Sequence, residues 1–164
     1  METIIHTIES VYDARSRVLI LGTMPSPKSR EFGFYYSHPQ NRFWPVIAQV
    51  LGQPVPVTTN EKRALLLRSR IAMWDVLHSC DIKGADDASI ANPVPNDLHV
   101  IFSAANIHAV FTTGSTATRL YKKYCLPQTG MEPIALPSTS PANCRFHTLE
   151  TLTEAYRVIL NYLP

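Results

Sequence analysis

The stretch Arg17-Val-Leu-Ile-Leu-Gly22 decides the fold, because it contains a continuous apolar run that ends at a glycine. Such runs are typical of strands that are buried on both faces of a parallel sheet. Three later segments have the same character, namely Ile71-Ala-Met-Trp74, Ala109-Val-Phe-Thr-Thr113 and Pro133-Ile-Ala-Leu-Pro137. The sequence therefore predicts four buried parallel strands.

Helical patterns separate these strands. We expect helices over 41–51, from an Asn60 cap to 70, near 97–104 after an Asn96 cap, over 114–124, and in the amphipathic segment 149–163. Strands that alternate with helices predict an α/β fold. The expected architecture is a three-layer sandwich with a central, mostly parallel four-stranded sheet, formed by a single domain over 1–164.

The loops at the carboxyl ends of the strands are the expected place for chemistry, because ligands of such sheets bind there. This rule selects the loops 23–41, 75–95, 114–116 and 138–147. Twelve of the 13 prolines of the chain cluster in 25–56, 93–95 and 127–141, as is typical of long ordered loops that carry function.

The composition indicates a globular protein, with 45% hydrophobic and 17% charged residues and a net charge of +2. No apolar run approaches the roughly 20 residues of a membrane span. The first ten residues lack the basic region of a secretory signal, so we expect a cytoplasmic location. A net charge of +2 is compatible with nucleic-acid binding if the basic residues are concentrated on one face.

Three cysteines, Cys80, Cys125 and Cys144, are far apart and form no CxxC pair. This spacing argues against a disulfide framework, a zinc site or an iron–sulfur cluster. We expect reduced thiols that are mostly buried, and neither a metal nor an organic cofactor.

Four segments at the ends of the predicted strands resemble a known family. They are Gly22-Thr-Met-Pro-Ser26, Tyr35-Tyr-Ser-His-Pro-Gln-Asn-Arg-Phe-Trp44, Ile71-Ala-Met-Trp-Asp-Val-Leu77 and Leu136-Pro-Ser-Thr-Ser-Pro-Ala-Asn143. In this order, over 17–145, they resemble the hypoxanthine-DNA (deoxyinosine) glycosylases of the uracil-DNA glycosylase superfamily. The second segment also resembles the mismatch-specific uracil/thymine glycosylases. The resemblance implies hydrolysis of the N-glycosidic bond of a deaminated base in DNA, which leaves an abasic site.

The second segment supplies the expected stacking and catalytic residues. The resemblance aligns Tyr36 with the aromatic ring that faces the flipped base, although a tyrosine could also simply pack beneath the loop. Asn41 is expected to orient the attacking water or contact the sugar, and as an alternative it would cap a helix. His38 is expected to act as a general acid or a phosphate contact, or else as an ordinary loop histidine.

The first segment, with Gly22, Thr23, Met24 and Pro25, is expected to bind the base. Many superfamily relatives carry Asp, Asn or Glu where Met24 stands, and that residue holds the water. Deoxyinosine glycosylases also lack the polar residue, so Met24 favours that branch and predicts modest chemistry. Relatives in the uracil branch have a histidine at the position of Leu136, which again points away from a strict uracil enzyme.

Asp75, after the second strand, is the candidate for recognising the edge of the base. Its carboxylate can accept a hydrogen bond from N1–H of hypoxanthine or N3–H of uracil. Cytosine and adenine lack that donor, so a site built on this bond would reject them. The alternative is that Asp75 caps a helix beginning at Val76.

Contacts to the DNA backbone are expected from short polar side chains in the loops, since hydroxyls and helix N-termini suit phosphates. A plain serine-rich turn is the alternative for the last loop. The candidates are Ser26, Ser115, Ser138, Thr139, Ser140 and Asn143. No lysine stands in the four segments, which predicts a monofunctional glycosylase without Schiff-base chemistry.

The expected partner is DNA that contains a deaminated base. We expect the protein to bind it as a monomer and not to associate with a membrane. Several alternatives stay open at this point. They are a mismatch-specific uracil/thymine glycosylase, a hydrolase of free nucleosides, a non-catalytic DNA lesion-binding protein and a generic phosphate-binding α/β domain.

Overall fold

A four-stranded parallel sheet forms the centre of the computed structural model, which describes residues 1–143 and 146–164. Its strands are β2 (Val18–Gly22), β3 (Ile71–Asp75), β6 (Ala109–Thr113) and β7 (Pro133–Leu136). Their order across the sheet is β3-β2-β6-β7. Every residue of β2 and β6 is buried, which explains their continuous apolar character. The predicted α/β sandwich is confirmed.

The strand order creates a crevice at the carboxyl edge of this sheet. The chain passes from β2 outward to β3, and then crosses back to β6 on the other side of β2. The loops that follow β2 and β6 therefore run in opposite directions. A reversal of this kind is where open α/β sheets bind their ligands.

Helices cover both faces of the sheet and form two apolar cores. The helices are α1 (Pro27–Phe32), α2 (Phe43–Leu51), α3 (Thr59–Arg68), α4 (His99–Phe102), α5 (Ser115–Tyr124), α6 (Leu126–Thr129) and α7 (Leu149–Tyr156). One core packs α2, α3 and α7 against Ile20 and Phe111, and the other packs α4 and α5 against Leu21 and Val110.

Several predicted helix ends are wrong. Thr58, not Asn60, caps α3, because Thr58 and Glu61 form a reciprocal capping box. Asn96 is buried and caps nothing, since its Nδ2 donates to the backbone oxygens of Asp75 and Leu77. The terminal helix is also shorter than predicted, because α7 continues as the 3₁₀ helix Arg157–Tyr162.

The segment predicted as the loop 75–95 is instead part of a second sheet. It is antiparallel, with the order β1-β4-β5, and consists of β1 (Glu2–Ile5), β4 (Leu77–Lys83) and β5 (Asp86–Pro95). The pairing of β4 with β5 shifts register three times. The edge strand β5 also contains two prolines and has no buried residue. Together these features remove the alternation of apolar and polar residues by which strands are recognised in sequences.

Cys80 and Cys125 are buried free thiols, as predicted, and burial raises the pKa of Cys125 to about 11. Cys144 lies outside the described residues. In the described part of the chain, no cluster of three or more His, Cys, Asp and Glu side chains has the arrangement of a metal site. No described helix has both the length and the apolar character needed to span a bilayer.

Candidate active site

A pocket of about 330 Å³ opens at the carboxyl edge of the parallel sheet. It brings together most residues that the sequence singles out from three separate loops. Ser115 and Asn143 are the two candidates that lie outside its lining. Those that line it are Gly22, Thr23, Met24, Pro25, Ser26, Tyr36, His38, Asn41, Asp75, Ser138, Thr139 and Ser140.

Tyr36 forms a rigid aromatic wall of the pocket. Its ring stacks on Phe43 with a centroid distance of 4.1 Å and an interplanar angle of 10°, and its hydroxyl bonds to Thr113 Oγ1 at 3.0 Å. Its φ of 54° is left-handed, which is uncommon outside glycine. Burial, and then the charge of Asp75, raises the pKa of the phenol far above its ordinary value. One face of the ring is covered by Phe43, so only the other can receive a ligand.

Asn41 lies at the start of α2 and joins that helix to the last loop. Its Oδ1 accepts hydrogen bonds from Phe43 N at 2.9 Å and from Thr139 Oγ1 at 2.8 Å. The amide oxygen therefore accepts from the first residue of α2, although the N-cap position itself is occupied by Arg42. Because Oδ1 is occupied, the group that Asn41 can offer a ligand is its Nδ2 donor pair.

Asp75 is a nearly buried carboxylate at the end of β3, directly beside Gly22 of β2. Its side chain is 6% exposed, and Oδ2 lies 2.8 Å from Nε2 of His6. A Cβ added to Gly22 would approach Asp75 Oδ1 to 2.5 Å. Only glycine at position 22 leaves room for the carboxylate in this position.

Sequence reasoning missed His6, which follows β1 and stands 69 residues from its partner. No local pattern marks it, since the pairing arises only when β1 joins β4. Sequence reasoning also missed the tip of the β4–β5 hairpin, which adds Gly84, Ala85 and Asp87 to the pocket wall. Desolvation raises the pKa of Asp87, and the charges of Asp86 and Asp75 raise it further.

Met24 and His38 both line the pocket and both belong to the connection 23–41. Met24 packs partly against the apolar core beneath the pocket, and its thioether offers no strong group to hold water. His38 Nδ1 accepts from Gln40 N at 3.1 Å. A neutral His38 therefore carries its proton on Nε2, where it can be donated.

The serine-rich loop after β7 is held by its own hydrogen bonds. Asn143 Nδ2 donates to Ser138 O, and Ser138 Oγ accepts from Ser140 N. Thr139 is 1% exposed and its hydroxyl donates to Asn41. In this arrangement Thr139 orients Asn41 and is not available to a DNA phosphate.

Ser115 and Ser26 each begin a helix. Ser26 caps α1 by accepting from Ser29 N at 3.2 Å. Ser115 is the first residue of α5 and is exposed. It lines a second, shallow groove with basic side chains of the same helix, namely Arg119, Lys122 and Lys123.

An α/β sandwich with a base-sized pocket at the switch point of its sheet, walled on one side by the ring of Tyr36, has the architecture of a DNA glycosylase. The chain belongs to the uracil DNA glycosylase superfamily, whose family model matches residues 9–163. It is an enzyme of base excision repair that hydrolyses an N-glycosidic bond in DNA. The predicted family and class of reaction are confirmed.

Named relatives support this assignment. The chain is 30% identical to a hypoxanthine DNA glycosylase from Methanosarcina acetivorans over 139 residues, which cover 84% of this chain and 87% of the relative. It is 29% identical to a hypoxanthine DNA glycosylase from Methanosarcina barkeri over 137 residues, covering 82% and 85%. A solution NMR structure of a proposed uracil DNA glycosylase from Methanosarcina acetivorans superimposes with a TM-score of 0.79 at 27% identity, covering 94% and 98% of the two chains.

Proposed function

We propose that this glycosylase excises hypoxanthine from DNA and accepts uracil as a second substrate. The observation that carries the proposal is the ring of Tyr36 in the same pocket as the buried carboxylate of Asp75. A base that stacks on the free face of Tyr36 can present its pairing edge to Asp75. A volume of about 330 Å³ lies at the lower end of the range of ligand pockets, roughly 300–1,000 Å³, which suits a single base.

Recognition in this proposal depends on a donor that only some bases possess. Ionised Asp75 accepts N1–H of hypoxanthine or N3–H of uracil. Adenine and cytosine present an unprotonated ring nitrogen there, which would leave a buried carboxylate facing a lone pair. Sites that hydrogen-bond a group reject analogues lacking it by as much as about 10⁴–10⁵-fold.

Hydrolysis then needs a placed water and an accommodated leaving group. We assign the water to Asn41 Nδ2, because Oδ1 is held by Phe43 and Thr139. The water oxygen bonds to C1′ as the bond from C1′ to the base nitrogen breaks, the bonding electrons leave with the base, and the proton that the water loses passes through solvent to the departing base. The cation that develops on the sugar is stabilised by the neighbouring phosphates, and Nε2–H of His38 is the candidate hydrogen-bond donor to the departing base.

The polar side chains around the pocket mouth are proposed to position the DNA strand. Ser26, Ser138 and Ser140 line the mouth, and Ser115 and Asn143 flank it. Such contacts fix register without reading sequence. One chain supplies every wall of the pocket, so we also propose that the enzyme acts as a monomer. Its buried free thiols suit a reducing compartment such as the cytoplasm.

The test is alkali-dependent cleavage of labelled duplexes that carry one deoxyinosine, one deoxyuridine or a G·T mismatch. We expect the highest rate with deoxyinosine. Asn41→Ala should lower that rate by about 100-fold or more, as loss of a preorganised donor does in other enzymes. The exposed Asn106 provides a matched control, and Asn106→Ala should cleave like the wild type.

Other outcomes of this test are equally informative. Cleavage confined to deoxyuridine, or to the G·T mismatch, would overturn the base assignment and favour the mismatch-specific branch. Intact binding to lesion DNA without any cleavage would contradict the proposal. Equal rates for Asn41→Ala and Asn106→Ala would remove Asn41 from the chemistry.

A further inference from the structure

The buried pair of His6 and Asp75 has a geometry that the reaction itself does not require. The imidazole Nε2 and carboxylate Oδ2 lie 2.8 Å apart, and the two side chains are 2% and 6% exposed. We infer that His6 is a positioning residue, which holds Oδ2 of Asp75 so that Oδ1 stays an acceptor for an N–H group on the base. This inference rests on the proposed function, since it assumes that Asp75 reads the base.

Burying a carboxylate such as that of Asp75 is costly unless a hydrogen-bond donor pairs with it. Among the described residues, His6 is the side chain that donates to it. Without that bond Oδ2 would be a buried acceptor with no partner, and the carboxyl group could rotate to find another. Oδ1 would then no longer stay in place as an acceptor for the ring N–H of a base.

Both members of the pair are prevented from turning away. The His6 ring meets Trp74 edge-on at 6.4 Å and Tyr35 at 6.0 Å, and its backbone nitrogen donates to His78 O at 2.6 Å. On the other side, the absent side chain of Gly22 lets Asp75 Oδ1 lie against the β2 backbone. The carboxylate of Asp75 is therefore held between the imidazole of His6, which follows β1, and Gly22 at the end of β2.

This arrangement assigns a substrate class to the site. It fits bases that carry a ring N–H beside a carbonyl group, which is the pattern that deamination of adenine or cytosine creates. Guanine and thymine carry the same pattern, so the carboxylate distinguishes a deaminated base from its parent adenine or cytosine and not from these two. The arrangement assigns no role to His6 when the base is absent. Binding to DNA that carries a stable abasic-site analogue should therefore not depend on the His6–Asp75 bond.

Two variants separate the hydrogen bond from the packing. His6→Gln keeps an N–H donor near the position of Nε2, whereas His6→Phe keeps an aromatic ring but removes the donor. The measurements are kcat/KM on the deoxyinosine duplex and Kd for the abasic-analogue duplex. We expect His6→Phe to lower kcat/KM by about 10- to 100-fold, the range for loss of a hydrogen bond to a charged group, with the abasic Kd unchanged. His6→Gln should retain kcat/KM within about threefold.

Failure would take distinguishable forms. If the wild type cleaves deoxyinosine and His6→Phe cleaves it equally well, the inference is overturned and the proposed function stands. A loss of kcat/KM, abasic binding and Tm together in both variants would show a packing role and also overturn it. If the wild type cleaves neither deoxyinosine nor deoxyuridine, the proposed function fails, and the inference fails with it.

Discussion

Gly22 is the residue on which the position of the base-recognising carboxylate of Asp75 most directly depends. It pairs with Asp75 across the β2–β3 ladder, and a Cβ at this position would come within 3.1 Å of Tyr36 Oη as well as 2.5 Å of Asp75 Oδ1. One added methyl group would thus displace both the carboxylate of Asp75 and the ring of Tyr36. The site therefore requires glycine at position 22 as much as it requires the carboxylate beside it.

We expect Gly22→Ala to lower excision of hypoxanthine by at least tenfold and to destabilise the fold by about 1–3 kcal/mol, as overpacking typically does. Gly52→Ala is the control, because Gly52 has a positive φ of 65° and no atom within 4 Å of an added Cβ. It should cost roughly 1 kcal/mol in stability without changing kcat/KM. Thermal unfolding and the cleavage assay together check both values, and equal activities of the two variants would contradict the steric account.

Among the elements, the segment that follows β7 combines buried anchors with one exposed aromatic side chain. Phe146 is 76% exposed, although its backbone nitrogen bonds to Asn143 O at 3.1 Å. The backbone oxygen of the adjacent His147 accepts from Arg42, which immediately precedes α2. Proteins that distort DNA frequently insert an apolar side chain between base steps, and extrusion of a base from a duplex costs a few kcal/mol.

Phe146→Ala should therefore slow cleavage of deoxyinosine in duplex DNA by about tenfold, and leave cleavage in single-stranded DNA unchanged, where no stack has to be opened. Phe32→Ala is the matched control, because Phe32 is also exposed, at 62%, but lies at the end of α1. The decisive quantity is the ratio of duplex to single-strand rates. An equal fall on both substrates would exclude a role in base extrusion.

The sequence predicted the elements of the parallel sheet much better than those of the antiparallel one. A strand such as β2 is buried along its whole length, so its apolar run is visible locally. By contrast, β5 has no buried residue and its register is irregular. Asp75 was predictable because it ends a recognisable strand. His6 was not, because its role depends on a tertiary pairing that no local pattern encodes.

At the scale of the whole molecule, a small net charge of +2 hides an uneven distribution around the pocket. The basic side chains of α5 lie in the groove that begins at Ser115. The hairpin tip instead carries Asp86 and Asp87. We expect the phosphates of bound DNA to lie toward α5 and to be repelled by the hairpin.

This polarity predicts a dependence of DNA binding on pH. The pKa of Asp87 is raised, so the group becomes neutral below that raised pKa, and its repulsion of phosphates disappears as the pH falls through it. Asp87→Asn should bind duplex DNA several-fold more tightly than the wild type at neutral pH and low salt, and the difference should shrink at lower pH and at higher salt. Kd measured by fluorescence anisotropy across pH and salt tests this.

Glu61→Gln serves as the charge-matched control for Asp87→Asn. Glu61 belongs to α3, which packs against β3 at the opposite edge of the sheet from α5, and glutamine can replace it in a capping box. The same gain in affinity from both variants would show a general charge effect rather than repulsion at the pocket mouth.

The hydrogen bond between Thr139 and Asn41 joins residues 98 positions apart, which affects when the active site can form during synthesis of the chain. Proteins are synthesised from the N-terminus, so Thr139 is added to the chain long after Asn41. A growing chain that contains His6 and Asp75 but not yet Thr139 lacks the hydroxyl that fixes the amide of Asn41. Competence to cut a glycosidic bond therefore depends on residue 139 having been synthesised and bonded to Asn41.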